Sequence, residues 1–505
     1  MKKTFLLILI IVPNFLFAQL VNDMKVNLDT NIFTTGKFYS SVSSNTKGNT
    51  VVTWEVRTDS KVNIYAQIID SLFNRVGNNF VVNSIPNLSS TSDVAVRKDG
   101  SFGIAWNSIT ENPYRSKVVL KVFNKNGIPI SPEIQLSDSS KSYEPKIKIG
   151  TDSLGRFVVT FDYSIPNSAK PNVYFQIVDP NGVKIGNNVK VNQNNSYGNP
   201  SIAVSKNGSF VIAWLGSVNL YPKTIYCQMY SPNGIQIGNN VQVNENGSDT
   251  IDDRSYPDVA FDSSGNFVVG FKEIPYSSGV ARIKYQRFDS NSNKIGANKL
   301  ININSYVYQL SSDEDGNLIF LISVAVSGSG MYNLRIDKND NPIGTYFLAS
   351  NQFLNIPKTG NDILLINKKY INLWRDTRLG GHPQMYLNVR SYTNPDSVVS
   401  VNNISTEISC SYSLSQNYPN PFNPSTKIRF DVATSLSLPN VSIGNPVQLK
   451  VYDVMGREVQ TLVNESLKPG IYEVTFDGEA LTSGVYFYKL QCGDFVQTNR
   501  MVLIK

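Results

Sequence analysis

Residues 200–214 read PSIAVSKNGSFVIAW, and residues 224–244 read TIYCQMYSPNGIQIGNNVQVN. Four short runs rich in Val, Ile, Tyr and Phe lie in this stretch, at about 201–205, 209–214, 224–230 and 240–243. Runs of that length and composition, bounded by Asn, Gly and Ser, predict strands rather than helices. Asn207-Gly208 separates the first run from the second, and Asn233-Gly234 separates the third from the fourth. Asn-Gly supplies the left-handed φ that a tight hairpin turn needs, so the stretch predicts a four-stranded antiparallel unit.

The unit recurs. GNTVVTW at 48–54, GSFGIAW at 100–106, GRFVVTF at 155–161, GNFVVGF at 265–271, GNLIFLI at 316–322 and KKYINLW at 368–374 repeat its second run. The last positions are Trp54, Trp106, Phe161, Trp214, Phe271, Ile322 and Trp374, spaced by 52, 55, 53, 57, 51 and 52 residues. A fixed period of this size marks a repeat architecture. Four strands per unit over seven units predict an all-β, seven-bladed β-propeller. The seventh unit has runs near 362–366, 370–374 and 384–390 but no fourth. MKVNL at 24–28 resembles the VKVN and VQVN runs of other units, so an N-terminal strand is expected to complete the last blade. The recurring aromatic is expected to fill the wedge between blades, burying on the order of 150–250 Å² each time.

The chain has 505 residues, 41% apolar and 17% charged, enough for two or three domains. Lys2 and Lys3, the apolar run Phe5 to Phe17, and Leu16-Phe17-Ala18 before Gln19 have the layout of a cleaved signal peptide. Pro13 and Asn14 interrupt a run already short for a spanning helix, and no later stretch approaches that length. The formal charge of +7 comes from scattered basic residues without a Lys/Arg block, which does not point to nucleic acid. Cys227, Cys410 and Cys492 are the three cysteines and His382 is the single histidine, which excludes conventional zinc sites built from several Cys and His side chains. Export would allow a Cys410–Cys492 bridge.

Acidic-glycine turns such as Asp99-Gly100, Asp262–Gly265 and Asp313–Gly316 invite a calcium reading. None fits EF-hand spacing, and turn chemistry accounts for them. No phosphate-binding glycine loop, GxSxG or HExxH motif is present, so no cofactor or metal is expected. Two candidate sites face the loops that carry propeller specificity. Tyr143, Tyr197, Tyr256 and Tyr306, each preceded by Ser, stand just before the first strand of adjacent units and offer a stacking platform at the channel rim. Arg375, Asp376, Arg378 and His382 make the most polar second-to-third loop, in unit seven, but no nucleophile stands beside the lone histidine.

TWEVRTDSKVNIYAQ in unit one and LWRDTRLGGHPQMYLNVRSY in unit seven resemble the W-x-D-x-R-x-G-x-x-D-I-Y-A-Q repeats of propeller-like regions in secreted bacterial surface proteins. The end of the chain carries a second resemblance. YSLSQNYPNPFNPSTKIRF at 412–430, VYDVMGREVQTLV at 451–463, KPGIYEVTFDG at 468–478 and SGVYFYKLQCGDFVQTNRMVLIK at 483–505 closely resemble, in order, the type A C-terminal sorting domain of the type IX secretion system. The residues carrying it are Pro419, Asn420, Pro421, Phe422, Asn423, Pro424, Gly456, Arg457, Gly470, Gly484 and Lys505. The resemblance implies a small Ig-like β-sandwich, recognition by the type IX translocon after Sec export, and a product either released or attached to surface lipopolysaccharide. The expected layout is a signal peptide at 1–18, the propeller at 19–392, a polar linker at 393–411 and the sorting domain at 412–505.

A non-enzymatic secreted or cell-surface module, binding or scaffolding a glycan or protein partner, is the expected role. The alternative is a propeller glycan hydrolase or lyase whose acids come from different blades, a pairing that sequence spacing cannot reveal.

Overall fold

The computed structural model describes residues 19–27, 40–57, 61–71, 73–84, 88–111, 114–138, 145–163, 171–193, 196–216, 223–245, 251–275, 278, 280–301, 305–324, 330–343, 347–349, 362–366, 369–376, 384–391, 402–405, 412–433, 445–467, 470–478, 481–492 and 495–505. The chain divides into two compact units, Gln19–Arg390 and a second containing Ser391–Lys505.

The larger unit is a seven-bladed β-propeller of four antiparallel strands per blade. Blade four shows the pattern: Ser196–Val204 innermost, then Phe210–Gly216, Thr224–Tyr230 and Gln236–Gln242 outermost. The innermost strands of the other blades are Ser40–Ser44, Leu88–Val96, Ile147–Thr151, Ile251–Phe261, Ser305–Ser312 and Asp362–Ile366. Blades one and two also share a parallel bridge between Val62 and Leu88. In blade seven, Lys369–Asp376 and Gln384–Ser391 follow the innermost strand, and the N-terminal Gln19–Lys25 pairs antiparallel with Gln384–Ser391 as the outer strand. Blades seven and one share a core of Val26, Val42, Trp54, Leu373 and Leu387, so the ring is closed.

The anchor positions hold the wedges between blades. Trp54, Trp106, Trp214 and Trp374 are at most 2% exposed. Three of them stack on a third-strand tyrosine: Trp54 on Tyr65, Trp214 on Tyr226 and Trp374 on Tyr386, with ring centroids 5.9–6.2 Å apart. Phe161 does the same with Tyr174 at 6.2 Å. The acidic turns are hydrogen-bonded hairpins. Asp262 Oδ1 accepts the N–H groups of Ser264 and Asn266, and Asp313 Oδ1 those of Asp315 and Asn317.

The outer strand of blade four starts at Gln236, earlier than the 240–243 expected from sequence. Ile237-Gly238-Asn239-Asn240 reads as a turn but forms a bulge, with Gly238 at φ 68°. The buried Gln228 holds it: Nε2 donates to the carbonyls of Met229 and Ile237, while Oε1 accepts from Asn240 Nδ2. Gln67, Gln176 and Gln286 repeat this on Gly77, Gly186 and Gly296. Asn240 and Asn298 also donate to Val191 and Val243 of the preceding blades, stitching the outer rim. Bulged, twisted edges of this kind resist strand addition by other chains.

The smaller unit is a β-sandwich. One sheet orders Asn402–Ser405, Gly470–Asp477, Ser425–Val432 and Ser413–Leu414; the other orders Glu458–Leu467, Asn445–Tyr452, Gly484–Cys492 and Phe495–Leu503. Their facing residues, among them Phe430, Val474, Leu449, Tyr488 and Leu503, form one core. Cys492 lies buried with a free thiol, and Cys410 lies outside the described residues.

Candidate functional site

The inner strands place one residue of each blade at the same level of the central channel, opposite the position preceding the anchor. These are Ser41, Asp93, Lys148, Ser201, Asp258 and Gln309 in blades one to six, opposite Thr53, Ala105, Thr160, Ala213, Gly270 and Leu321. Asp362, opposite Leu373, completes the ring. Each carboxylate clips the next blade. Asp93 Oδ2 accepts Ile149 N–H at 2.8 Å, Asp258 Oδ2 accepts Leu310 N–H at 2.8 Å, and Asp362 Oδ2 accepts Val42 N–H at 2.9 Å. Ser41 and Ser201 donate to the remaining oxygens of Asp93 and Asp258.

Lys148 Nζ lies 3.8 Å from Asp93, whose charge raises the lysine above its ordinary value, with Asp362 and Asp258 adding to the effect. Burial pushes the Asp362 carboxyl up to about 6, against the pull of Lys148, and burial also raises Asp258. The ring was missed from sequence because its members differ chemically. A signal existed: the first six stand 13 residues before their anchors and Asp362 stands 12 before Trp374.

Above this ring, toward the second-to-third-strand loops, the inner strands bulge. Thr91, Asn199 and Tyr256 take left-handed φ of 52°, 58° and 53°. Such backbone costs about 1–3 kcal/mol unless it is held. Glu55 accepts Thr91 N–H at 2.6 Å, and Asp162 accepts Asn199 N–H at 2.6 Å. Tyr308 Oη donates to the Tyr256 carbonyl at 2.7 Å. A bulge re-aims the side chain it carries, and Tyr256 is 53% exposed, with Lys272 Nζ 4.9 Å from its ring centroid.

An ion-pair cluster on blade five reaches blade four through Arg254. Glu273 is buried and meets Arg282 at 2.6 Å, Lys284 at 2.8 Å and Arg254 at 3.7 Å. Arg254 donates through Nη1 to the Lys223 carbonyl at 2.9 Å, and burial lowers its guanidinium below the ordinary value. Lys223 Nζ in turn lies 5.9 Å from the Tyr197 ring centroid.

Of the expected platform, Tyr197 is half-buried against the blade four–five core and Tyr256 stands exposed at its bulge. Tyr306 belongs to the strand Ser305–Ser312, and Tyr143 lies outside the described residues. Tyr197 and Tyr256 are not at one register position: Tyr197 falls between the pairs Ser196–Gly216 and Gly198–Leu215, Tyr256 between Ser255–Lys272 and Asp258–Gly270. Arg375 and Asp376 close the strand Lys369–Asp376 rather than standing in a loop, and burial lowers Arg375 below its ordinary value. Arg378 and His382 lie outside the described residues.

In the sandwich, Phe422 is buried, donating its N–H to Val502 and accepting that of Ile504. Asn420 accepts Val502 N–H at 2.9 Å, and the Tyr418–Pro419 and Asn420–Pro421 bonds are cis. Gly456 sits at φ 76° in a turn closed by Asp453 and Arg457. Pro421, Asn423 and Pro424 complete the exposed turn around Phe422, Gly470 and Gly484 open strands, and Lys505 N–H donates to Ser483.

No group of three or more His, Cys, Asp or Glu among the described residues is placed to hold a metal ion. No helix among them is long and apolar enough to cross a membrane.

Residues 416–505 match the family model described as the secretion system C-terminal sorting domain. The C-terminal sandwich is thus a type IX sorting domain, and the chain is cargo for secretion or export to the cell surface. No curated protein matches the chain. Among solved structures, α-L-arabinanase of Penicillium chrysogenum with arabinobiose is 10% identical, covering 74% of this chain and 99% of its own, at a TM-score of 0.44. A PL25 ulvan lyase bound to a GlcA–Rha3S fragment is 10% identical over 75% and 96%, at 0.45. A Dyadobacter fermentans protein of unknown function is 10% identical over 60% and 94%, at 0.43. At these scores the likeness carries nothing about activity.

Proposed function

We propose that the propeller is a glycan-binding module, delivered outside the cell by its sorting domain, that holds its ligand on the face bearing Tyr197 and Tyr256 without transforming it. The observation that carries this reading is the exposed Tyr256 ring, presented by a strained bulge and flanked by Lys272. The Tyr308 hydroxyl holds that strained backbone in place, and strained positions cluster at ligand-binding sites. The channel carboxylates support binding over catalysis. Asp93, Asp258 and Asp362 each accept a backbone N–H of the next blade, a blade-joining task that accounts for them without catalysis.

One observation favours the hydrolase or lyase reading: Asp362 titrates near 6 beside ionisable neighbours, the poise of a general acid. Incubating the purified chain with a glycan array separates the two. Retention of a glycan that weakens with Tyr256→Ala, without new reducing or unsaturated ends, is the expected result. Product formation lost in Asp362→Asn would overturn it.

A further inference from the structure

The seam between blades four and five joins an aromatic ring to an excess of cations. Among the described residues Arg254, Arg282 and Lys284 meet the carboxylate of Glu273, and Arg254 also donates to the backbone carbonyl of Lys223. Arg254 is only 4% exposed; its Nη1 donates to the Lys223 carbonyl and its Nε lies 3.7 Å from the Glu273 carboxylate. Arg282 and Lys284 remain about one quarter exposed, so the positive charge opens to solvent. Tyr197 and Lys223 extend the same seam with a ring and a cation 5.9 Å apart, and Tyr256 with Lys272 repeats that pairing on the other side of blade five.

A neutral sugar has no use for this charge. A residue bearing a carboxylate or sulfate does: its ring lies on a tyrosine while its anion meets the lysine or arginine beside it. We infer that the ligand is an anionic polysaccharide, carboxylated or sulfated, whose charged groups are taken by Lys223, Arg254, Arg282 and Lys284. The inference rests on the glycan-binding reading and deepens it. Nucleic acid offers stacking and charge as well, but its regularly spaced phosphates call for a basic track, whereas this cluster is confined to one seam.

The test uses the full-length secreted chain in affinity electrophoresis through gels holding polygalacturonate, dextran sulfate or neutral dextran, at two salt concentrations. Retardation by polygalacturonate or dextran sulfate and not by dextran is expected, and which of the two retards more identifies carboxylate or sulfate. Lys223→Gln/Lys284→Gln should weaken that binding at least about tenfold, while Lys98→Gln, on an exposed turn, changes it less than about twofold. Lys223→Gln alone, with folding checked by near-ultraviolet circular dichroism, keeps the test decisive should the double variant unfold. Equal retardation by neutral dextran would overturn the anionic class but leave glycan binding standing. Unchanged binding by the folded variants would overturn the seam as the site. Equal competition by single-stranded DNA would reduce the effect to general polyanion attraction and overturn the inference. Failure of all three glycans to retard the chain would remove the glycan-binding reading itself.

Discussion

The carboxylate of Asp362 accepts the backbone N–H of Val42 at 2.9 Å, tying the inner strand of the seventh blade to that of the first. The same carboxyl is held near 6 by burial, well above the ordinary Asp value of about 3.9. Its effect on stability therefore has a defined sign. Below about pH 4 the group is protonated in both folded and unfolded chains. Between about 4 and 6 the folded chain keeps a proton that the unfolded chain has released, so stability falls as pH rises, by at most about 1.4 kcal/mol per pH unit for one group. Asp258, raised in the same direction, adds to that slope. Thermal melts of Asp362→Asn from pH 4 to 7.5 should be flatter than those of wild type, and no less stable at pH 7.5. An unchanged slope would show that Asp362 does not titrate in this window.

Gln228→Ala removes the amide that holds the outer bulge of blade four. The carbonyls of Met229 and Ile237 and the amide of Asn240 lose their bonds to Gln228 together, while Asn240 keeps its bond to the Val191 carbonyl. Because this rim is close to solvent, water replaces part of what is lost, and a cost of about 1–3 kcal/mol is expected. Denaturant unfolding measures it. Hydrogen exchange should rise at 236–242 while the inner strand of the blade stays protected.

Trp214 is the anchor of blade four, and the equivalent anchors of blades three and five are Phe161 and Phe271. The fold thus already accommodates phenylalanine at this wedge. Trp214→Phe should cost less than about 1.5 kcal/mol, whereas Trp214→Ala opens a cavity and should cost about 3–5 kcal/mol. Comparable losses for both would mean that blade four does not accept the phenylalanine its neighbours carry at this wedge.

Deletion of residues 501–505 should trap the chain inside the cell envelope. Met501 and Leu503 are buried in the sandwich core, and Val502 and Ile504 hydrogen-bond to Phe422 of the proline-rich turn. Fractionation into envelope and medium, with protease sensitivity of the sandwich, reports the outcome. Normal export of the deleted chain would separate recognition from this edge of the domain.

Much of the fold is legible in the sequence because packing and turn chemistry repeat. The Asn-Gly turns and the apolar anchor at Trp54, Trp106, Phe161, Trp214, Phe271, Ile322 and Trp374 give strand count and blade count together. The bulged outer strand is less legible, since Ile237-Gly238-Asn239-Asn240 has turn composition and becomes strand only through Gln228 from the neighbouring strand. The site is least legible of all. Tyr197 and Tyr256 stand 17 and 15 residues before their anchors, so a shared Ser-Tyr motif does not mean a shared register. Glu273 and its three cations come from three consecutive strands of one blade, and no periodic motif announces that they converge.

The outer strand of the seventh blade, Gln19–Lys25, bears on the order of events during synthesis. Its hydrogen-bonding partner, Gln384–Ser391, is made some 360 residues later. At about 5–20 residues per second, the early strand waits on the order of twenty seconds to a minute before its partner exists. Throughout that interval the ring cannot close, however well the intervening blades have formed. The strand made first is the one that finishes the fold, so an incomplete chain is held back from the closed state by its own topology.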